Sequence, residues 1–185
     1  MITNTPETSR VAPLKRVPAL HRWVARSRDL AGLTVLDYGA GPRDLGTQFL
    51  LSEGAAVVYP YDPYYRTQQE NLDALAELTG RRVDLVLCSN VLNTLPSVTD
   101  RYQVLATCSR APHALFAVYE GDRSGSSATG PRGCQLTRRV KDYLPEIDRY
   151  FTQTRVLAVG HIEAWSRQPL TSSNSSNEDD SVAGN

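Results

Sequence analysis

Between Thr34 and Tyr65 the chain reads TVLDYGAGPRDLGTQFLLSEGAAVVYPYDPYY. An apolar run ends in Asp37, glycines follow at Gly39 and Gly41, a helical pattern covers Leu45 to Glu53, and a second apolar run, Ala55 to Tyr61, ends in Asp62. Few folds accept that order. Two short apolar runs joined through a helical pattern read as a βαβ unit, with an acid at the tip of each strand. Gly39 and Gly41 let the backbone bend sharply and let a ligand lie against it, where a β-carbon would collide.

The rest of the chain extends this alternation. Leu14, Val17, Leu20, Val24 and Leu30 fall near helical spacing, with Pro18 expected to disturb the first turns. Asn71 to Thr79 reads as a helix stopped by Gly80, VDLVLCSN as a central strand covered on both faces, Asp100 to Arg110 as a helix, and ALFAVYE as another buried strand. A Gly- and Ser-rich loop from Gly121 to Gly133 precedes LTRRVKDYLPEIDRYF, which looks helical despite Pro145, and RVLAVGHIEAW, which reads as one late strand. No strand is evident between Tyr64 and Val83. The expected organisation is a flexible segment over 1–13, one domain over 14–170 and a disordered polar tail over 171–185. The fold class is α/β, a mostly parallel sheet with helices on both faces, reduced in size. Its ligand crevice lies at the carboxyl ends of the strands, which is where the two acids and the glycines fall.

Composition excludes several classes. Lys+Arg and Asp+Glu number 20 each, so no overall field draws the chain to nucleic acid or membrane. A local patch is the remaining route to nucleic acid: RVAPLKRVPALHRWVARSR holds no acid from Arg10 to Arg28, and one face of that helix can be positive. The opposing reading is an ordinary solvated helix face with Trp23 in the core. Cys88, Cys108 and Cys134 have neither zinc-site nor disulfide-framework spacing and are expected to be free thiols. His21, His113 and His161 lie far apart and are read as surface or core residues, so no metal site is expected. The first thirty residues lack the apolar core of a signal peptide and no run is long enough to span a bilayer, so the expectation is a cytoplasmic protein without membrane contact.

The acids narrow the ligand. Asp62, 25 positions after Asp37, is placed to accept hydrogen bonds from the hydroxyls of an unphosphorylated ribose. A carboxylate at the end of the first strand repels the pyrophosphate of a dinucleotide and attracts a cationic amino-acid group, which favours S-adenosylmethionine over NAD. With LDYGAGPRD, YDPYY and DLVLCSNVLNTLP, the stretch from Thr34 to Pro96 resembles the class I S-adenosylmethionine-dependent methyltransferases, and among them small phage-type members and those associated with DNA phosphorothioation. Arg43 stands where their glycine motif has its third glycine. The resemblance implies a Rossmann-like methyltransferase fold and S-adenosyl-L-methionine as cofactor. It implies Asp37, Tyr38, Gly39 and Gly41 around the methionine part, Asp62 and Pro63 at the ribose, and Asn90 facing cofactor and acceptor.

The acceptor is left open by the sequence. Asn90 is expected to orient it and Glu120 to take a proton from it, with Asp122 as the other candidate. Asn93 either bonds the substrate or caps the next helix. Tyr64 and Tyr65 are read as packing around the adenosine. The loop carrying Glu120, Asp122, Arg123, Gln135, Arg138 and Arg139 is either a substrate lid or a solvated loop. Two other functions stay in view: a non-catalytic S-adenosylmethionine-binding or protein-interaction module on the same fold, and a nicotinamide-dependent oxidoreductase.

Overall fold

Alternation along the apolar runs sends successive side chains to opposite faces of a sheet, and in the computed structural model, which describes residues 16–130, 133–157 and 160–166, each face meets its own helices. Leu36, Tyr38, Val86, Cys88, Ala114 and Phe116 belong to one buried cluster with Ala74, Leu78, Val104, Leu105 and Ile147. Val35, Leu85, Leu87 and Leu115 belong to a second, with Leu20, Val24 and Leu50. The expectations for 1–13 and 171–185 lie outside the described residues.

The elements are α1 (Ala19–Ser27), β1 (Thr34–Tyr38), α2 (Leu45–Ser52), β2 (Val57–Tyr61), α3 (Gln68–Thr79), β3 (Leu85–Ser89), α4 (Val98–Cys108), β4 (His113–Ala117), β5 (Ser127–Gly130), β6 (Gly133–Leu136), α5 (Leu144–Ile147), β7 (Gln153–Leu157) and β8 (His161–Trp165). Helices α1 and α2 cover one face, and α3, α4 and α5 the other. The main sheet runs β2-β1-β3-β4-β8-β7. Its first four strands are parallel, whereas β8 is antiparallel to both β4 and β7. Between β2 and β3 the chain forms only α3, so the sheet ends at β2. Pro60 in that edge strand is compatible with its position, since proline cannot donate to a central ladder.

Local chemistry explains where the elements depart from the periodicity. Thr67 and Glu70 close a capping box, so α3 starts at Gln68, three residues earlier than the apolar spacing predicts. Ser97 accepts from Asp100 N and starts α4 at Val98. Pro18 is the N-cap of α1, a place where its missing N–H costs nothing, and does not disturb the helix interior. The single late strand expected from RVLAVGHIEAW is two, β7 and β8, reversing near Gly160 at φ +75°. The glycine-rich loop folds over Ser127–Leu136 into the antiparallel hairpin β5–β6. The helix expected over 136–151 is a 3-10 turn, Val140–Tyr143, and one helical turn, α5, opened by Pro145 near its start.

Two buried ion networks tie these parts together. Arg101 Nε and Nη2 donate to Glu146 at 2.6 and 2.9 Å, and Nη1 donates to the carbonyls of Leu95 (2.8 Å) and Pro96 (3.0 Å). Burial pushes the Glu146 carboxyl up, but hydrogen bonds from Arg101 and Arg138 outweigh it and hold the group below its ordinary range. At the opposite end of the sheet, Glu163 on β8 meets Arg28 at 2.7 Å, His113 at 3.0 Å and Arg155. Arg28 also donates to His113 Nδ1 at 3.0 Å, which leaves the ring proton on Nε2, facing Glu163.

Burial, and then the Arg28 cation, lower the His113 pKa, and burial alone lowers that of His161. A histidine whose folded pKa is depressed binds its proton more readily in the unfolded chain. Its contribution is therefore whole above about 6.5, the ordinary value, and is lost as the pH falls below it. The melting temperature should drop between pH 7.5 and pH 5.5, and His161→Phe should flatten the slope. An equal slope in that variant would remove His161 from the account.

Candidate functional site

The strand order reverses direction at β1, with β2 on one side and β3 on the other, and a cavity of about 420 Å³ opens at their carboxyl ends. That size lies within the roughly 300–1,000 Å³ usual for small-molecule sites. Its walls include Asp37, Tyr38, Gly39, Gly41, Asp62, Pro63 and Asn90, so the crevice collects every cofactor-binding residue expected from the sequence.

The two glycines have different tasks. Gly39 has φ +85°, and a β-carbon there would overlap Val91 Cγ2. The neighbour that an added side chain would meet is the loop after β3. Gly41 has φ +73° with nothing within 4 Å of an added β-carbon, so its open side faces space a ligand can use. Gly39→Ala should cost roughly 2–5 kcal/mol, the left-handed backbone adding about 1–2 and the overpacking about 1–3. Gly41→Ala should cost only the backbone part, about 1–2 kcal/mol. Denaturant unfolding of the two variants checks this, and equal losses would contradict the division of roles.

Asp62 organises the turn from the neighbouring strand. Its Oδ2 accepts from Gly41 N at 2.9 Å, and its Oδ1 accepts from Tyr64 N (2.9 Å) and Tyr65 N (3.2 Å). The adjacent Arg66 donates to the Gly41 carbonyl at 3.0 Å and pairs with Asp44 at 2.5 Å. Both polar groups of the Gly41 backbone are thus held by residues that follow β2. Asn71 on α3 fixes Asp62 in turn, accepting from its N–H at 2.9 Å and donating to its carbonyl at 3.1 Å. Burial raises the Asp62 carboxyl, against the lowering effect of the N–H groups of Tyr64, Gly41 and Tyr65.

Asp37 is 2% exposed, and its Oδ2 lies 3.0 Å from Nε2 of His21, itself 1% exposed on α1. Neither ring nitrogen of His21 completes an aligned hydrogen bond. The α2 backbone closes over this pair, because a β-carbon on Gly46 would sit 2.7 Å from the His21 ring and 3.0 Å from Asp37 Oδ2. Close approach of helix to sheet falls at Gly46, while Arg43 stands exposed at the rim. His21 and Arg66 were not legible as site residues: His21 sits 16 positions before Asp37 with no motif between them. The one available hint for Arg66 was a cation just after the second acid.

Other expected residues sort differently. Tyr38 reaches the cavity, but its ring is buried in the core with its centroid 4.5 Å from that of Tyr61. Asn90 is exposed at φ +58°, a conformation asparagine tolerates better than most residues, and its N–H donates to Ala117 O at 2.8 Å. Asn93 caps no helix, since it lies inside the 3-10 turn Leu92–Thr94, and its Oδ1 is buried without a partner. Glu120 is held elsewhere. It does not line the cavity; its Oε1 accepts from Val140 N at 2.7 Å and its Oε2 pairs with Arg123 at 2.7 Å. Asp122 is also absent from the walls, whereas Gln135 on β6 and Tyr119 reach them.

Burial raises the Cys88 thiol well above its ordinary value, and Cys88, Cys108 and Cys134 are all buried. Among the described residues no three His, Cys, Asp or Glu side chains are grouped to hold a metal ion, and no helix is long and apolar enough to cross a membrane.

No protein-family model matches the chain, and no curated protein matches it. Solved structures do. The 1,6-didemethyltoxoflavin-N1-methyltransferase of Burkholderia thailandensis, solved with 1,6-didemethyltoxoflavin and S-adenosylhomocysteine, is 18% identical at a TM-score of 0.55 over 81% of this chain and 79% of its own. The pyocyanin biosynthetic protein PhzM is 16% identical at 0.52 over 78% of this chain, which spans about half, 53%, of that protein. A Rhodobacter sphaeroides protein provisionally described as a zinc-dependent alcohol dehydrogenase is 15% identical at 0.56 over 86% of this chain and 92% of its own. Likeness at such identities concerns the backbone. The chain has the Rossmann-like fold found in methyltransferases such as the Burkholderia enzyme.

Proposed function

We propose that the cavity binds S-adenosyl-L-methionine and that the protein transfers its methyl group to an acceptor. The observation that carries this reading is the joint placement of Asp37, Gly41 and Asp62 around one cavity at the strand-order reversal. The residues fit the cofactor: open space beside Gly41 admits its backbone-facing part, and the buried Asp37 carboxylate suits a cationic amino-acid group. Asp62 holds the turn and keeps acceptor capacity for ribose hydroxyls. Bound there, S-adenosylmethionine supplies a methyl group activated on a sulfonium: the acceptor's lone pair bonds the methyl carbon, the carbon–sulfur electrons go to sulfur, and the acceptor's proton goes to water. The protein's share is alignment and exclusion of bulk water. Resemblance of the Thr34–Pro96 segment to phage-type and phosphorothioation-associated methyltransferases supports the same reaction.

A small acceptor suits the site better than nucleic acid. In the basic stretch, Arg22 donates to the Val17 carbonyl and Arg28 is engaged by Glu163 and His113, so two of its cations are turned to structural use. Calorimetric titration with S-adenosylmethionine and, separately, NAD tests the reading. One-to-one binding of the former and none of the latter is expected; selective NAD binding would favour an oxidoreductase and sink the proposal.

A further inference from the structure

The cavity has two chemically different halves. Charge lies on the β1–β2 half, in Asp37 and Asp62. The wall formed after β3 and β4 includes Asn90, Val91, Asn93, Thr94, Leu95, Tyr119 and Gln135, and carries no carboxylate, ammonium, guanidinium or imidazole. The cationic side chains that line the cavity among the described residues, Arg16 and Arg43, are exposed, and belong to the segments before α1 and after β1.

Two amides on the uncharged wall are unfinished. Asn93, 1% exposed, has its Oδ1 buried without a hydrogen-bond partner, and Gln135 has its Nε2 buried without one. Strand β6, which carries Gln135, packs against the Leu92–Thr94 turn that carries Asn93. The side chains that carry this acceptor and this donor line the same cavity from adjoining elements, with the two atoms themselves closed off from solvent, and buried groups of this kind cost free energy until a partner arrives. An ionised acceptor would be desolvated there without a counter-ion. Tyr119, 59% exposed at the rim, offers an aromatic face to a flat molecule.

Resting on the methyl-donor reading of the other half, we propose that this wall selects a small, neutral, planar acceptor that presents an N–H or O–H beside a carbonyl or ring nitrogen, as a cyclic lactam does. The two amides turn toward the cavity, where the ligand's donor meets Asn93 Oδ1 and its acceptor meets Gln135 Nε2. The wall holds no group that takes a proton, so the proton leaves to solvent. A weakly acidic lactam N–H tolerates that far better than an aliphatic alcohol.

The test is a ligand-observed NMR titration of the full chain with 2-pyridone, with and without S-adenosylhomocysteine. N-methyl-2-pyridone, benzoate and benzylamine serve as competitors of altered hydrogen bonding or charge. Saturable 2-pyridone binding is expected, at least tenfold tighter than that of the other three. It should weaken about tenfold in Gln135→Leu and in Asn93→Leu, the loss of one hydrogen bond. Gln135 is half-buried, so its variant is informative even if Asn93→Leu fails to fold. The proposal is overturned if no fragment binds saturably, if benzoate or benzylamine binds as tightly, or if folded variants bind 2-pyridone as the native chain does. Failure of S-adenosylhomocysteine to bind would count against the methyl-donor reading alone, because the titration without it still reads the wall directly.

Discussion

Asp62→Ala should bind S-adenosylmethionine at least ~100-fold more weakly than the native chain, a loss of about 2.7 kcal/mol. The substitution removes the carboxylate proposed for the ribose, and it also strips the acceptor from the N–H groups of Gly41, Tyr64 and Tyr65. Each buried donor left without a partner costs about 1–3 kcal/mol, and the turn can reclaim that only by changing shape. Both effects act on the cofactor side of the cavity. Asp62→Asn keeps one acceptor oxygen and should fall between native and alanine. Calorimetry alongside circular dichroism separates lost binding from lost fold. A folded Asp62→Ala protein within threefold of native affinity would remove Asp62 from the site.

Removing the Arg101 guanidinium should be the most damaging single change to stability. Arg101 is 5% exposed and Glu146 is 9% exposed, and breaking such a pair from one side costs about 3–5 kcal/mol because the remaining charge stays buried. Arg101→Met also withdraws the donor from the Leu95 and Pro96 carbonyls, which hold the end of the acceptor wall. The double variant Arg101→Met/Glu146→Leu should recover much of the loss, since no charge is then left unpaired. Urea unfolding of the two proteins reads both numbers. A cost below about 1 kcal/mol for Arg101→Met would mean that Glu146 is adequately held by Arg138 alone.

Most of the strand and helix positions follow from local pattern. VLDY, VVYPY, LVLCS and ALFA are short and apolar, and burial on both faces of a parallel sheet demands that composition. The absence of a strand between β2 and β3 was equally visible, because Gln68–Thr79 has helical spacing and too little chain is left over. The hairpin β5–β6 was not visible. Its residues, SATG and GCQL, are small or polar, and the contact of β6 with the Leu92–Thr94 turn is not foreshadowed by their propensity. The split of the late strand turned on Gly160, whose left-handed conformation reverses the chain while the residues on either side remain good strand formers.

The site divides along the same line. Asp37, Gly39, Gly41 and Asp62 could be read in advance because strand ends and turns are fixed by neighbours in sequence, and a βαβ unit brings its strand tips together of necessity. Their tasks could not. That Gly39 makes room for Val91, that Asp62 holds the Gly41 backbone, and that Glu120 is held by Arg123 and Val140 are facts of contact between distant segments. His21 facing Asp37, and Asn93 near Gln135, are of the same kind. By itself the sequence determined the alternating architecture and the cradle at the strand ends, because hydrophobic period and glycine conformation act over a few residues. Only the tertiary structure decided which polar atoms are satisfied and which are left without a partner, because burial and hydrogen bonding are settled by whatever the fold brings into contact.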